Sequence, residues 1–382
     1  MRKSMLIIEP NTSGHRMRYV SRIASHTVEL GIHPIVATSH RGAEHGDFSH
    51  LPEGVERRVG VVPDPAPSSL VRLQLQSLRA YRDLASQIDA ERILIPYGDT
   101  VDKAAALLGV GPKPWDLLLM RSFFHHHAMG VIGAPQGAGN TARALLFRRL
   151  LRQRNVRRIL TIDELLPRFV KEAGWPNPEK VLFVPDPAHA APPADRESAL
   201  HRLSLEDGVP TVLAYGALTL RKGIGDLIAA ASSPGGEAYR LLFVGKQHPE
   251  TKELMEGPLA QSLRQSGRLV EINRYVDEAD EADAFAVADV VWLGYVDFLG
   301  SSGVLVQAAQ ANRPVVSCAE GLIGWRTREF GLGPVLESRT PEAVLEAIKA
   351  AQGLLDPSST ARRASFAQAN TESAFLDAVF AP

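Results

Sequence analysis

Two segments in the second half of the sequence place cations and small hydroxyl side chains where a chain could bind an anion. In the first, an apolar run ends at Gly216, and a short loop then presents Arg221 and Lys222 before a helix predicted to begin near Gly223. Cations at the carboxyl edge of a parallel sheet lie where α/β proteins bind ligands. Two adjacent cations there could neutralise a diphosphate, and a solvated Arg-Lys pair is the alternative interpretation.

The second segment follows a strand that ends near Tyr295. It contains Gly300-Ser301-Ser302-Gly303, and an Ala-rich helix is predicted to begin at about Gly303. Small residues before a helix allow a ligand to approach exposed backbone N–H groups, which favour an anion. Both serine hydroxyls can also donate hydrogen bonds, although a plain serine N-cap would show the same pattern. Two such loops in one domain favour a phosphate site over a solvated Arg-Lys pair and a plain serine N-cap.

A run of aromatic and imidazole side chains, Phe123-Phe124-His125-His126-His127, follows another predicted strand. Three histidines in a row suggest a metal ion. However, adjacent side chains are not expected to all face one ion, and no carboxylate lies nearby in the sequence. We therefore predict that this run holds no metal.

The composition is that of a globular protein and excludes several classes. The 382 residues are 45% hydrophobic and 22% charged, with a formal net charge of −1. This balance excludes a disordered chain, a collagen and a coiled-coil rod, and it shows no bias toward nucleic acid. The single cysteine, Cys318, excludes an internal disulfide and a cysteine-based zinc cluster. With no long apolar stretch, we expect a cytoplasmic protein without a transmembrane helix or a signal peptide.

Short apolar runs alternate with stretches of helical period along the whole chain. Such runs indicate buried parallel strands in βαβ units, so the sequence predicts an α/β protein. The first series of predicted strands comprises residues 5–10, 34–39, 92–97, 116–123, 158–162 and 181–185. The second series comprises residues 211–216, 240–244, 269–275, 290–295, 314–318 and 334–336.

A connector separates the two series, because residues 184–194 carry four prolines in eleven positions. We predict an N-terminal Rossmann-like domain over residues 1–186, a second over 187–364, and a single C-terminal helix in residues 365–382. Common nucleotide and hydrolase motifs are missing: the sequence has no Gly-x-Gly-x-x-Gly, P-loop, nucleophile elbow or His-Glu-x-x-His. These absences disfavour a dehydrogenase, a nucleotide triphosphatase, a serine hydrolase and a zinc protease.

Local charge bias marks two further segments. Residues 117–162 contain no Asp or Glu but hold Arg121, Arg143, Arg148, Arg149, Arg152, Arg154, Arg157 and Arg158. With interleaved leucines, the part from Arg143 to Arg158 is a candidate for peripheral contact with an anionic membrane at its inner face. It could equally bind an acidic acceptor or be a solvated surface helix. The acidic run at residues 277–283 is interpreted as a solvated helix start.

The segments of the second half resemble the nucleotide-sugar-binding half of the family-4 glycosyltransferases, which have the GT-B fold. The order and spacing of the family's motifs match over residues 211–324. The matching segments are Gly216-Ala217-Leu218 with Lys222-Gly223, Val244-Gly245, Arg274-Tyr275-Val276, Ala288-Asp289-Val290-Val291, Gln307-Ala308 and Asn312-Arg313-Pro314-Val315. The first half matches more loosely, through its first strand, the loop at Gly14 and the helix after it.

This resemblance implies two Rossmann-like domains that face each other across a cleft, with the C-terminal helix crossing back to the first domain. It implies a transferase that moves a sugar from a nucleotide-diphosphate sugar to a glycan, lipid-linked or small-molecule acceptor, in polysaccharide or glycoconjugate biosynthesis. The anomeric configuration would be retained. Neither a metal nor a cofactor other than the donor substrate is implied, and no nucleic acid.

The resemblance also implies roles for particular residues. Arg221 and Lys222 would stabilise the leaving diphosphate, and His125 or His126 would bond the donor sugar or its phosphate. The other implied donor-binding residues are Gly14, His15, Gly216, Asn273, Tyr275, Ser301, Ser302, Gly303 and Gln307. Within that set, Tyr275 and its neighbours would flank the base, and Gln307 would bond the ribose.

The sequence departs from the family pattern at three positions. The usual arginine after the first motif glycine is Ala217, and the two motif glutamates fall on Leu299 and Gln307. Gln307 can still bond ribose hydroxyls through its amide, whereas Leu299 cannot replace a carboxylate. The resemblance is therefore to a divergent branch with Gln in place of the second glutamate. Two alternatives stay open: a sugar-nucleotide epimerase of the same fold and a catalytically silent GT-B binding protein.

Overall fold

The structure is a computed structural model and describes residues 3–10, 15–44, 46–64, 69–186, 188 and 193–381. The chain divides into two compact units. The first consists of Met1–Met129, Pro135–Pro185 and Ser373–Pro382, and the second of Gly130–Ala134 and Asp186–Glu372. None of the described helices is both long and apolar enough to cross a membrane.

The first unit is built on a parallel sheet whose described strands have the order β3-β2-β1-β4-β5-β6-β7. Its strands are β1 (Ser4–Ile8), β2 (His33–Thr38), β3 (Glu56–Val59), β4 (Arg92–Ile95), β5 (Trp115–Leu119), β6 (Val156–Thr161) and β7 (Val181–Phe183). Its helices are α1 (His15–Glu29), α2 (His40–Glu44), α3 (Gly46–Ser49), α4 (Leu70–Gln87), α5 (Asp102–Leu108), α6 (Ala138–Leu151) and α7 (Leu165–Glu172), with 3₁₀ turns at Gly98–Thr100 and Pro178–Lys180.

The second unit is built on a parallel sheet whose described strands have the order β10-β9-β8-β11-β12-β13. Its strands are β8 (Thr211–Tyr215), β9 (Arg240–Val244), β10 (Leu269–Ile272), β11 (Val290–Leu293), β12 (Val315–Cys318) and β13 (Val335–Leu336). Its helices are α8 (Arg196–Arg202), α9 (Ile224–Ala231), α10 (Lys252–Glu256), α11 (Pro258–Gln265), α12 (Glu278–Val287), α13 (Gly303–Gln310), α14 (Gly321–Glu329), α15 (Pro341–Gln352) and α16 (Pro357–Ala369), with 3₁₀ turns at Leu220–Lys222, Gly236–Ala238 and Pro249–Thr251.

Both faces of each sheet are covered by apolar side chains. In β1, Leu6 and Ile8 belong to one buried cluster, whereas Met5 and Ile7 belong to another. Successive side chains of a strand point to opposite faces, so a strand buried on both sides needs an uninterrupted apolar run. This is why the short apolar runs of the sequence predicted the strands, and the expected α/β class is confirmed.

The C-terminal segment differs from the single helix that the sequence predicts. The structure has two helices, α16 and α17 (Glu372–Phe380). The first ends at Ala369 and is followed by Asn370, whose side-chain amide donates to the carbonyl of Phe366 at 2.8 Å. The second helix, α17, is part of the first unit. There Phe375 is fully buried and meets the edge of the Tyr19 ring, with 5.3 Å between the ring centroids.

A buried charge cluster holds the carboxyl end of α17. Asp116, in the interior strand β5, is fully buried and accepts hydrogen bonds from the guanidinium groups of Arg92, Arg157 and Arg158. Arg92 and Arg158 also donate to the carbonyl of Val379, each at 2.5 Å. The last carbonyls of a helix carry partial negative charge, so these cations stabilise its end.

We predict that Arg158→Met lowers the free energy of unfolding by about 1.5–3 kcal/mol, the range for hydrogen bonds to charged groups. The variant should also be cleaved in α17 at lower protease concentrations, because that helix loses its anchor. Arg157→Met is the matched control, since Arg157 bonds Asp116 at 3.0 Å through Nε but is not among the anchors of α17. Equal protection of α17 in Arg158→Met and wild type would contradict the anchoring role.

Candidate functional site

The candidate site lies where the strand order of the second sheet reverses, between β8 and β11. Strands β9 and β10 follow on one side of β8, and β12 and β13 follow on the other side of β11. Helices leave such a point toward opposite faces and open a crevice at the carboxyl ends of the two strands, which is where α/β sheets bind ligands. Tyr215 ends β8, and Tyr295 follows β11.

Lys222 is turned inward at this point. Its Nζ donates to the carbonyl of Tyr215 and, at 3.0 Å, to the hydroxyl of Tyr295. The ammonium group also lies 5.0 Å from the centroid of the Tyr295 ring, a distance at which the π face attracts a cation. Both tyrosines therefore hold this side chain at the reversal point of the sheet.

The charge of Lys222 is buried without a counter-ion. The residue is 9% exposed, and no carboxylate of the described residues lies within salt-bridge distance of its Nζ. A buried cation without a partner is costly, and carbonyl and hydroxyl oxygens compensate only part of the lost hydration. An anion placed beside Nζ would supply the missing compensation, as the sequence interpretation of this loop expects.

Two glycines allow the loop to take this course. Gly223 has a φ of 65°, and a Cβ there would lie 2.0 Å from the carbonyl oxygen of Gly294, at the end of β11. Gly216 has a φ of 91°, and its Cβ would lie 3.3 Å from Nζ of Lys222. A side chain at Gly223 is therefore excluded both by the left-handed backbone and by the neighbouring strand.

The neighbouring cation, Arg221, has a different environment. Its side chain is exposed, and its guanidinium carbon lies 4.6 Å from the centroid of the Phe298 ring. The backbone carbonyl of Arg221 accepts a hydrogen bond from the N–H of Val296 at 2.8 Å. The two adjacent cations are thus one buried and one exposed, and they do not form a solvated pair.

The serine turn reaches the same point from α13. Ser302 precedes the helix, but its side chain makes no capping hydrogen bond, and its Oγ instead lies 3.2 Å from the Tyr295 hydroxyl. The plain N-cap alternative is therefore wrong for this residue. Ser301 Oγ donates to Asp186 at 3.2 Å and accepts from Arg326 at 2.6 Å. Gly303 is the first residue of α13, whose leading N–H groups have no side-chain cap.

Gln307 is hydrogen-bonded to Glu281, which the sequence interpretation assigned to a solvated helix start. Its Nε2 donates to Oε1 of Glu281 at 2.8 Å, and the other carboxylate oxygen of Glu281 accepts from the Tyr215 hydroxyl. Glu281 and Asp283 are 6% and 7% exposed, so the interpretation of the acidic run as a solvated helix start is wrong for both. Each is buried beside a specific donor, and Asp283 pairs with Arg202 at 2.6 Å.

Hydrogen bonds therefore connect three predicted site residues, Ser302, Lys222 and Gln307, into one network. They run from Ser302 to Tyr295, to Lys222, to Tyr215, to Glu281 and on to Gln307. The sequence interpretation missed both tyrosines and Glu281. The position of each tyrosine at a strand's carboxyl end was the available signal, whereas nothing in the sequence indicated that Glu281 is buried.

The residues predicted to flank a base lie at the end of β10. Asn273 is exposed and accepts a hydrogen bond from the N–H of Gln247 at 2.9 Å. Tyr275 is 88% exposed, so its ring is available to stack on a planar group. Asn273 and Arg274 line a cavity of about 610 Å³ at this edge of the sheet.

In the first unit, Gly14 lies outside the described residues, and His15 is the first residue of α1. The adjacent Arg16 stacks on Tyr97, with its guanidinium carbon 3.8 Å from the ring centroid. Arg16 also lies 3.8 Å from the buried carboxylate of Glu9, at the end of β1. These contacts occupy the reversal point of the first sheet, between β1 and β4.

The histidine run is arranged differently from what its sequence suggested. His125 and His126 are fully buried, and their Nε2 atoms lie 3.0 and 2.6 Å from Oδ2 of Asp163. His127 is exposed. Two of the three histidines therefore converge on one carboxylate, because the turn between β5 and α6 points both imidazoles at Asp163, just after β6, whereas the exposed His127 is not part of this pair.

Among the described residues, His125, His126 and Asp163 form the group that could hold a metal, since their ligand atoms lie within 4.8 Å of one another. However, Nδ1 of His125 and of His126 is buried without a hydrogen-bond partner among the described residues. Metal-bound imidazoles normally donate their second N–H to an acceptor. Neutral imidazoles that donate Nε2–H to Asp163 leave only a lone pair unpaired at Nδ1, so the geometry fits a hydrogen-bond network better than a metal centre.

The same contacts shift the acid–base behaviour of the cluster. Burial lowers the pKa of His125, and the hydrogen bond to Asp163 offsets only part of this effect. Burial raises the pKa of Asp163, but the hydrogen bonds from His125 and His126 outweigh it, so that this pKa lies well below its usual range. At neutral pH the Asp163 carboxylate therefore stays ionised and the His125 ring stays neutral.

No protein-family model and no curated protein sequence matches the chain. Solved structures match almost its whole length. Sucrose-phosphate synthase from Thermosynechococcus elongatus has a TM-score of 0.70 at 17% identity, covering 98% of this chain and 97% of its own. WaaG, a glycosyltransferase involved in lipopolysaccharide biosynthesis, has a TM-score of 0.68 at 17% identity, covering 99% and 100%.

A third similar structure is Anabaena HepE in complex with UDP and glucose, with a TM-score of 0.63 at 15% identity over 99% of this chain and 98% of its own. At these identities the similarity establishes the fold. Like GT-B glycosyltransferase structures, the chain has two parallel sheets with interleaved helices. The GT-B fold implied by the sequence resemblance is therefore confirmed.

We predict that Asp163→Asn costs about 1–3 kcal/mol of unfolding free energy, because one carbonyl cannot accept all the bonds that His125, His126 and the N–H of Leu165 donate. The loss should be larger at about pH 5.5 than at about pH 7.5. In wild type the pKa of His125 lies below the unfolded value of 6.5, so stability falls as the pH drops below 6.5. Without the carboxylate this pKa falls further and the slope steepens.

Chemical denaturation of both proteins at the two pH values measures the difference. Burial raises the pKa of Asp99 to about 6. Its contribution to stability therefore falls as the pH rises from 3.8 to about 6. It titrates alike in both proteins and cancels in the comparison. An equal loss at both pH values would contradict the predicted coupling between Asp163 and His125.

Proposed function

We propose that this protein is a glycosyltransferase that moves a sugar from a nucleotide-diphosphate sugar to an acceptor. The observation that carries the proposal is the buried ammonium group of Lys222, which has no carboxylate partner among the described residues and lies at the reversal point of the second sheet. The GT-B fold, shared with glycosyltransferases and with a UDP complex, supports a nucleoside diphosphate as the anion.

The chemistry of the proposed reaction follows from the charges around this point. Breaking the bond between the sugar and the diphosphate leaves negative charge on the leaving phosphate oxygen. Lys222, Arg221 and the uncapped N–H groups of α13 would stabilise that charge, and preorganised groups in a partly dry site do so without reorganisation. Exposed Tyr275 would stack on the base.

The finer features of the reaction rest on the family resemblance. We propose retention of the anomeric configuration and turnover without a metal ion, with the cations of the chain neutralising the diphosphate. In this proposal His125 and His126 would bond the donor sugar only after a rearrangement, because Asp163 engages both Nε2 atoms. Turnover of a radiolabelled donor should continue in EDTA, which tests independence of metal ions. Hydrolysis of the donor or transfer of its sugar to an acceptor would distinguish an enzyme from a catalytically silent binding protein.

The diphosphate assignment can be tested by calorimetry with UDP, GDP and ADP. Lys222→Met should weaken binding of the preferred diphosphate by about 1.5–3 kcal/mol, and Arg221→Ala by a similar amount. The corresponding nucleoside should bind both variants as it binds wild type, because it lacks the charged groups. Lys252→Met is the control, since Lys252 is an exposed cation on α10 paired with Glu256 at 3.9 Å. Unchanged diphosphate affinity in both site variants would refute the assignment.

We also propose that the surface of α5 and α6 makes peripheral contact with an anionic membrane. Phe147 and Leu150 bury one side of α6 in the core, but Leu145 is 61% exposed. Leu107 and Leu108, at the end of α5, are also more than half exposed. The two helices are tied together because Arg149 and Gln153 both donate to the carbonyl of Ala106, at 2.9 and 2.8 Å.

The basic segment divides into two sets of arginines. Arg157 and Arg158 both pair with the buried carboxylate of Asp116, and the Arg158 side chain is itself buried. Arg143, Arg152 and Arg154 are exposed and form no ion pair within the described part of the chain. Exposed leucines flanked by such cations are typical of surfaces that lie on anionic membranes.

We predict that the protein sediments with anionic vesicles at low salt but not with zwitterionic vesicles, because each arginine near the surface contributes about 1 kcal/mol that salt screens. Changing Arg143, Arg152 and Arg154 to Glu should abolish sedimentation. A control with Glu at the exposed Arg18, Arg41 and Arg168 carries the same charge change on other helices. The proposed membrane surface would be refuted if both triple variants lost sedimentation with anionic vesicles equally, or if wild type did not bind these vesicles at low salt.

A further inference from the structure

The amide of Gln307 is held in one orientation by a buried carboxylate. Nε2 of Gln307 lies 2.8 Å from Oε1 of Glu281. An ionised carboxylate only accepts hydrogen bonds, so the NH₂ group of the amide must face Glu281. The amide oxygen then points away from Glu281, and it has no hydrogen-bond partner among the described residues.

Glu281 is itself fixed in place. It is 6% exposed, and its second carboxylate oxygen accepts a hydrogen bond from the hydroxyl of Tyr215, the last residue of β8. The backbone carbonyl of Tyr215 accepts from Lys222. A single tyrosine therefore connects the residue that orients Gln307 with the cation assigned to the diphosphate.

We infer that Glu281 is a positioning residue, which turns the amide oxygen of Gln307 outward to accept a hydrogen bond from a ribose hydroxyl of the donor. This inference rests on the proposed nucleotide-sugar function. It assigns to Glu281 a part in recognising the sugar ring of the nucleotide, and to Gln307 the role of an acceptor only. Both residues line a cavity of about 440 Å³ beside α12 and α13.

The pair also explains why a glutamine suits position 307. A glutamate there would place two carboxylates within about 3 Å of each other, and one of them would have to bind a proton or move away. With glutamine, the oxygen that faces outward accepts hydrogen bonds as a carboxylate oxygen does. The change from the family's glutamate is therefore compensated by Glu281 and is compatible with an intact ribose contact.

An acceptor on the protein distinguishes ribose from deoxyribose, because only the hydroxyl can donate to it. We expect wild type to bind UDP about three- to tenfold more tightly than either 2′-deoxy-UDP or 3′-deoxy-UDP, the range for one hydrogen bond between neutral groups. If GDP or ADP binds better than UDP, the same pair of deoxy analogues is used for that base. Equal affinities for the ribose form and both deoxy forms would overturn the inference.

Three variants test the role of Glu281. Glu281→Leu should bring the ribose-to-deoxyribose ratio close to one, because the amide of Gln307 loses its fixed orientation. Gln307→Glu should weaken nucleotide binding and stability, because it creates the carboxylate pair. The exchange Glu281→Gln with Gln307→Glu should restore the wild-type ratio, because the amide and the carboxylate have only traded places.

The control is Gln310→Ala, one turn further along α13, where the amide donates to the carbonyl of Ala188 at 3.4 Å. It should leave the ratio unchanged. Thermal unfolding of each variant separates a folding defect from a recognition defect, and the ratio is insensitive to the fraction of folded protein. A restored ratio in the exchanged variant supports the inference, whereas an exchanged variant that behaves like Gln307→Glu overturns it.

The experiment also separates this inference from the proposed function. Wild type that binds none of the nucleoside diphosphates refutes the function and the inference together. Wild type that binds them with a ribose preference that Glu281→Leu leaves intact retains the function and refutes only the role of Glu281.

Discussion

The burial of one positive charge organises the second unit. Lys222 is held between the ends of β8 and β11 by two tyrosine oxygens, and the left-handed Gly223 lets its loop press against Gly294. Because the cation has no carboxylate partner among the described residues, neutral oxygens and the Tyr295 ring provide only part of the compensation that water gave. Under the proposed function, a diphosphate bound at this reversal point would supply the remaining compensation, and the neighbouring hydroxyl and helix N–H groups would contact the same anion.

In the first unit, single carboxylates serve several donors at once. Asp116 accepts from three guanidinium groups, two of which also hold α17, and Asp163 accepts from two buried imidazoles. Each arrangement is stable because the buried charge is paired. Removing one partner would leave a buried charge without full compensation and destabilise the fold. Two of the eight arginines in the basic stretch, Arg157 and Arg158, pair with the buried carboxylate of Asp116 in this way.

Under the proposed function, two positions that differ from the resembled motif have polar groups nearby in the second unit. Gln307 keeps an oxygen that can accept a hydrogen bond because Glu281 binds its NH₂ group. The cation missing at Ala217 has Arg221 and Lys222 nearby in the chain, whereas Leu299 brings no carboxylate. The hydrogen bonds from Ser302 to Gln307 connect α13 with the carboxylate of Glu281 on α12 through the two tyrosines at the ends of β8 and β11.

The sequence by itself determined the α/β class and twelve of the thirteen described strands, because a strand buried on both faces requires an apolar run that is visible without tertiary information. The GT-B fold was implied by the resemblance of its motifs to a known family. The sequence missed β3, an edge strand with exposed charged residues, where burial imposes no such run. It also singled out Lys222, Ser302 and Gln307 as candidate site residues. Only the tertiary structure decided which groups meet: Glu281 with Gln307, Asp163 with two histidines, and Asp116 with three arginines. These contacts join residues far apart in the chain, and a polar residue shows in the sequence only its type, whereas its burial and its partner depend on how the helices and strands pack.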